Sequence, residues 1–158
     1  MRTGSAMKHH DTRELLKSEY LHLHRIIVDF DGRAISIKAW SVSFSLVALV
    51  GAFASHAAPV LLIGSLSAAL FWLVEGYWKT FQNAHYERMR LIEATFRDSK
   101  RILVPLQINT SWIRQWRSNR SQRLSQVMAW PYVALPHALV VILGLVLYGL
   151  VQFQMIKL

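Results

Sequence analysis

Thirty-six consecutive residues, 39–74, contain no Asp, Glu, Lys or Arg. At about 1.5 Å per residue such a run would make a helix roughly 54 Å long, whereas a hydrocarbon core is about 30 Å thick. One crossing cannot use it up, so it must fold as two. A second charge-free run covers 33 residues, 124–156. With 53% hydrophobic and 17% charged residues, against about a quarter charged in soluble domains, the chain is neither disordered nor an ordinary soluble protein. The expectation is an all-α integral membrane protein with three transmembrane helices and amphipathic cytoplasmic helices.

The break inside the first run falls at Ser55-His56-Ala57-Ala58-Pro59, because Pro59 lacks an amide donor and suits the first turn of a following helix. Spans are expected at about 36–54, 59–77 and 131–153, the last kinked near Pro136. Ala52-Phe53-Ala54 has the look of a signal cleavage site, but a second apolar stretch follows at once, as in an uncleaved hairpin. Trp40 at one end, and Trp72, Tyr77 and Trp78 at the other, suit the headgroup region. Four segments follow: an N-terminal tail and amphipathic helix over 1–35, a hairpin over 36–77, a cytoplasmic helical region over 78–130, and a third span with a short tail over 131–158.

Charge sorting gives the orientation. Seven Lys or Arg precede the first span, ten lie between Lys79 and Arg123, none sits in the turn, and Lys157 follows the third span. Three crossings put seventeen of the eighteen cations on one side, which the positive-inside tendency makes the cytoplasm. The expected topology has the N-terminus in the cytoplasm and the C-terminus outside. A net charge of +9 then points to anionic lipid more than to nucleic acid, for which no recognisable module is present.

Outside the spans the pattern is helical. Met1 to Ala6 read as unstructured, and Asp11-Thr12-Arg13-Glu14 has the spacing of a capping box that would start a helix. Leu16, Tyr20, Leu23, Ile27 and Phe30 then form one apolar stripe, with a bend expected at Asp31-Gly32. A second stripe of Trp78, Phe81, His85, Met89, Ile92 and Phe96 continues out of the second span and is expected to face the first. Residues 105–111 read as a loop, with Ser111 capping a helix that carries Trp112, Ile113 and Trp116.

Several residues are candidates for function. Ser41, Ser45, Ala48, Ala52 and Ser55 form a small-residue seam in steps of four and three, continued on the second span by Gly64, Ala68, Phe71 and Glu75. Small side chains let helices approach closely in lipid, either within the chain or between subunits. Glu75 is the acidic residue nearest a span, and intramembrane carboxylates are expensive and often functional. It reads either as a solvated or salt-bridged interfacial group or as a pore mouth or gate. His56 and His137 can titrate near neutrality or make structural polar contacts. The series Arg114, Arg117, Arg120 and Arg123 advances by three, as on a helix lying at anionic headgroups, with an anionic ligand as the other reading. His22 and His24 lack the four-residue spacing of a helical metal pair, and His9 and His10 are adjacent in the tail. No metal site, cofactor or enzyme motif is expected, and the absence of Cys excludes thiolate chemistry.

The stretches Lys38-Ala39-Trp40-Ser41-Val42 and Phe71-Trp72-Leu73-Val74-Glu75 through Trp78-Lys79-Thr80-Phe81 resemble a group of uncharacterised bacterial inner-membrane proteins. The layout of helix, two close spans and helix from about 12 to 100 also resembles the SLATT two-span effectors of bacterial antiviral defence. That resemblance implies a membrane-disrupting, pore-forming effector, here with a third span and without a sensor domain. The first expectation is therefore a homo-oligomeric membrane pore or effector gated through its cytoplasmic helices. The second is a non-catalytic structural or accessory subunit of a larger membrane protein complex.

Overall fold

The computed structural model describes the backbone of residues 3–98, 101–118 and 120–157, and the side chains of 11–98, 101–118 and 124–157. The described residues form five helices: α1 (Thr3–Ser55), α2 (Pro59–Arg97), α3 (Ile108–Arg117), α4 (Arg120–Met128) and α5 (Pro131–Gln152), with no strand among them. Three of these, α1, α2 and α5, are long and apolar enough to cross a membrane. The protein is all-α, and its long apolar helices are those of a membrane-spanning chain.

Several local expectations are corrected. Helix α1 is already formed at Thr3, so Asp11-Thr12-Arg13-Glu14 lies inside a helix, where the amides it would have capped are bonded to the preceding turn. It also continues through Asp31-Gly32 without interruption. Helix α3 starts at Ile108 with Gln107 before it, and the Ser111 amide bonds to the Gln107 carbonyl at 3.0 Å. Ser111 is thus an interior residue, not a cap.

The chain divides into two compact units. The first comprises 1–31 and 80–120. Its core joins Leu16, Leu23 and Ile27 of α1 to Met89 and Ile92 of α2, with Tyr20, Leu103 and Ile108 against it. The two sequence stripes do face each other. Within this core lies a buried ion pair: the Arg88 guanidinium donates to both carboxylate oxygens of Glu19, at 2.7 and 3.0 Å. The same pair holds the loop before α3. Arg88 Nη2 donates to the Val104 carbonyl at 2.7 Å, and the Leu106 amide donates to Glu19 Oε2 at 2.8 Å. Leu106 has φ 63°, a left-handed conformation uncommon for a residue with a side chain, so this amide contact fixes a backbone that Leu would not choose alone.

The second unit comprises 32–79 and 121–158. The hairpin turn is as expected: α1 ends with His56 at φ 52°, and the Ala57 amide reaches back to the Ala52 carbonyl at 3.0 Å. This six-to-one bond is a Schellman closure, with His in the left-handed position usually filled by Gly. Helix α5 ends the same way, with Gln154 at φ 55° and the Met155 amide on the Leu150 carbonyl at 2.9 Å. Residues 121–130 fall within this unit. Helix α4 packs on α2 because Gly76 leaves room for Met128: a Cβ at Gly76 would sit 2.5 Å from Met128 Cγ. Trp72 Nε1 also donates to the Met128 carbonyl at 3.0 Å.

Candidate functional site

In an apolar helix a serine can keep its hydroxyl satisfied locally by donating to the carbonyl four residues back, and Ser45, Ser55 and Ser65 do so, to Ser41, Gly51 and Leu61. Ser41 instead turns to a partner on another helix. Its Oγ lies 2.9 Å from Nδ1 of His137 on α5. The other ring nitrogen, Nε2, lies 2.9 Å from Glu75 Oε2 on α2. The remaining carboxylate oxygen, Oε1, accepts from Lys38 Nζ on α1. A four-membered polar chain, Lys38, Glu75, His137 and Ser41, thus links all three membrane-length helices.

Its setting is dry at three of the four positions. Glu75 and His137 are fully buried and Ser41 is 1% exposed, whereas the Lys38 side chain keeps 25% of its surface. As a carboxylate, Glu75 accepts at both oxygens. Nε2–H of His137 then donates to Glu75, and Nδ1 accepts from the Ser41 hydroxyl. Around this chain, Lys79 is buried with Nζ 5.7 Å from the Tyr132 ring, and the Arg33 guanidinium lies 5.5 Å from the Trp78 ring. The α4 residues Leu124 and Met128 meet α2 nearby at Gly76.

The order serine, histidine, carboxylate is that of a hydrolase triad. Ser41 lies mid-helix in α1, where its neighbouring amides are committed to the helix. The arrangement holds the imidazole between a hydroxyl and a carboxylate and orients it.

The candidate residues sort as follows. Of the small-residue seam, Ser41, Ala52 and Ala68 are buried within the chain and a Cβ at Gly64 would lie 2.9 Å from that of Ala48, whereas Ser55 is exposed. Glu75 is buried between α1 and α5 and makes a salt bridge, to Lys38. His137 makes the structural polar contact weighed for it, while His56 is exposed in the turn. His22 and His24 are exposed, His9 and His10 lie outside the described side chains, and no metal-binding group of three His, Cys, Asp or Glu occurs among the described residues.

The arginine series does not share one helix. Helix α3 ends at Arg117, Ser118 is extended with ψ 121°, and α4 starts at Arg120. The Ser118 hydroxyl bonds the Gln115 carbonyl at 2.9 Å, helping to close α3. Arg114 and Arg117 are exposed; the side chains of Arg120 and Arg123 lie outside the described residues. Trp112 and Trp116 pack within the chain on Phe81, at 6.0 and 4.5 Å between ring centroids, and Trp112 Nε1 donates to the Phe81 carbonyl at 3.1 Å.

Glu19 and Arg88 escaped the sequence reading, although a signal was there. Glu19 stands three residues after Leu16 and four before Leu23, and Arg88 four after Ala84 and four before Ile92, so both fall on buried stripes. No protein-family model matches the chain, and comparison with curated proteins and with solved structures gives no match either.

Proposed function

We propose that this protein is a non-catalytic membrane effector that assembles into a homo-oligomeric pore, gated through its cytoplasmic helices. The observation that carries this reading is the buried Lys38, Glu75 and His137 linkage across α1, α2 and α5. An ionised group in a membrane core costs a few kcal/mol, and apolar residues of similar volume commonly replace a buried ion pair without loss of stability. Such a linkage is better understood as a latch at the inner ends of the spans than as packing. Helices α1 and α2 each contribute residues to the polar unit and to a span.

In this reading the membrane is a bacterial inner membrane, with the N-terminus and polar helices in the cytoplasm and the C-terminus outside. Exposed Arg114 and Arg117 meet anionic lipid, and the resemblance of the layout to SLATT effectors points to a role in antiviral defence. Particle imaging of the detergent-solubilised protein and conductance in planar bilayers test it together. Closed rings and channel events are expected; a lone three-span unit without conductance would remove the proposal.

A second reading, an accessory subunit of a larger membrane complex, is favoured by one specific feature. The outward faces of the spans are apolar, as at Phe44, Val47, Ile63, Leu66, Leu139 and Ile142, and fit a neighbouring membrane protein as well as lipid. Co-purification of one unrelated membrane protein in fixed ratio, with no channel events, is the outcome that supports it.

A further inference from the structure

We infer that the polar unit makes a head-to-tail contact between copies of this chain, in which loop 101–106 of one copy seats in a groove between α1 and α2 of the next. Exposed apolar side chains on the spans face lipid. In the polar unit they face water, and a patch of them there marks an interaction surface. Two such surfaces occur. The first is the loop: Ile102, at 89% exposure, Val104 and Leu106 stand outward, while Leu103 among them packs against the core. The Glu19 and Arg88 pair holds this shape through the Leu106 amide and the Val104 carbonyl. The apolar tips are thus ordered before a partner arrives, which lowers the entropic cost of docking.

The second surface is an open groove of about 340 Å³ lined by Lys17, Tyr20, Glu93 and Phe96. Exposed Leu21, four residues after Lys17, and exposed Tyr86, seven before Glu93, continue the same helix faces. Loop and groove lie on opposite flanks of the α1–α2 contact. At about 100° per residue, Lys17 is turned about 160° from Glu19, and Glu93 about 140° from Arg88, and Glu19 and Arg88 are what bind the loop. Each chain therefore holds its loop away from its own groove, and a second copy supplies the occupant. The charges agree. Asp98 and Arg101 form an exposed pair at 3.8 Å beside the apolar tips, and the groove presents Lys17 and Glu93, so each charge of the loop meets its opposite. An exposed pair contributes little alone, so exchanging it costs little. The Tyr20 hydroxyl donates to Glu93 Oε1 at 3.0 Å, and a carboxylate accepts at its second oxygen too. A contact between unlike surfaces repeats from copy to copy and closes into a ring where the rotation allows. It rests on the homo-oligomer proposed above and names the surfaces that build it.

The chain has no cysteine, so single thiols report the contact. Full-length K17C and I102C chains with different tags are co-expressed, purified in mild detergent and oxidised with copper phenanthroline. A mixed disulfide dimer is expected, well above that from I102C with H22C, which lies three residues past Glu19 on the loop-covered flank. The K17C/I102C double variant should give a ladder beyond the dimer. All three positions are exposed, so helicity should match wild type. Adding L106D to the I102C chain should cut the mixed dimer by about tenfold or more, the effect of losing one buried leucine. A mixed dimer no more abundant than the H22C control, in protein that elutes as an oligomer, overturns the inference and leaves the pore standing. Elution as a single chain removes both, whereas a ladder without channel events keeps the contact and removes only the pore. Disulfides solely between I102C chains would mean a like-with-like contact, and quenching of a fluorophore on I102C by brominated lipid would mean a loop docked on the bilayer; each overturns the inference.

Discussion

Replacing Arg88 by Met keeps most of the aliphatic stem in the core but removes the guanidinium. Glu19, which the polar unit buries to 3% exposure, then keeps a single described donor, the Leu106 amide. Breaking a buried pair by removing one partner costs about 3–5 kcal/mol, because the surviving charge is stranded. In E19L/R88M no charge is stranded. The Leu106 amide and Val104 carbonyl lose their partners, but their loop is exposed, with Val104 at 63% and Leu106 at 71%, so water can replace them. The double variant should therefore be more stable than R88M, with a coupling of at least about 2 kcal/mol between the sites. Amide hydrogen exchange over 16–27 and 84–92 reads this locally. At about 1.4 kcal/mol per tenfold, R88M should speed exchange by roughly two to three orders of magnitude. Purely additive effects, or an R88M protein that exchanges like wild type, would refute the reasoning.

Two further outcomes follow from the packing and the pH response. A Cβ at Gly144 would collide with Ser65 Oγ and stand 3.3 Å from the Leu61 carbonyl, whereas one at Gly149 would meet nothing within 4 Å. G144A should lose about 1–3 kcal/mol by overpacking while G149A gains a few tenths from helix propensity; equal melting temperatures by circular dichroism would contradict the described contact between α5 and α2. In the polar unit, His85 sits between Phe30 and Trp112 with Nδ1 lacking a hydrogen-bond partner, and burial lowers its pKa below 6.5. The folded state then binds its proton less readily than the unfolded chain. Stability is complete above about pH 6.5 and declines as the pH falls towards and through the lowered value, so H85F should flatten the fall in melting temperature between about pH 7.5 and pH 5. A wild-type melting temperature that rises on acidification, or an H85F protein with the wild-type slope, would remove His85 as the cause.

Much of the architecture is legible because it follows from one-dimensional rules. A charge-free run longer than a bilayer is thick must turn back, and Pro59 marks where. The stripes through Leu16, Leu23 and Ile27 and through Met89 and Ile92 follow helical periodicity, so their meeting is foreseeable. Helix ends are less so. The capping-box spacing at Asp11 competes with continued helix on its N-terminal side, and continuation is what α1 adopts. Steps of three through Arg114, Arg117, Arg120 and Arg123 likewise presuppose an unbroken helix, while Ser118 takes an extended conformation that periodicity does not report.

The polar chain was only half legible, for a reason that bears on what it does. Periodicity says which residues of one helix share a face; it is silent on which face of a distant helix arrives opposite. Ser41 and Glu75 stand out in sequence because each is polar in an apolar stretch, but His137 lies 62 residues beyond Glu75 and 96 beyond Ser41. Once α5 brings the imidazole between them, both Glu75 oxygens have partners, Lys38 on α1 and His137 on α5. A buried carboxylate needs such partners, and here they come from the helices on either side, so the contact depends on all three spans at once.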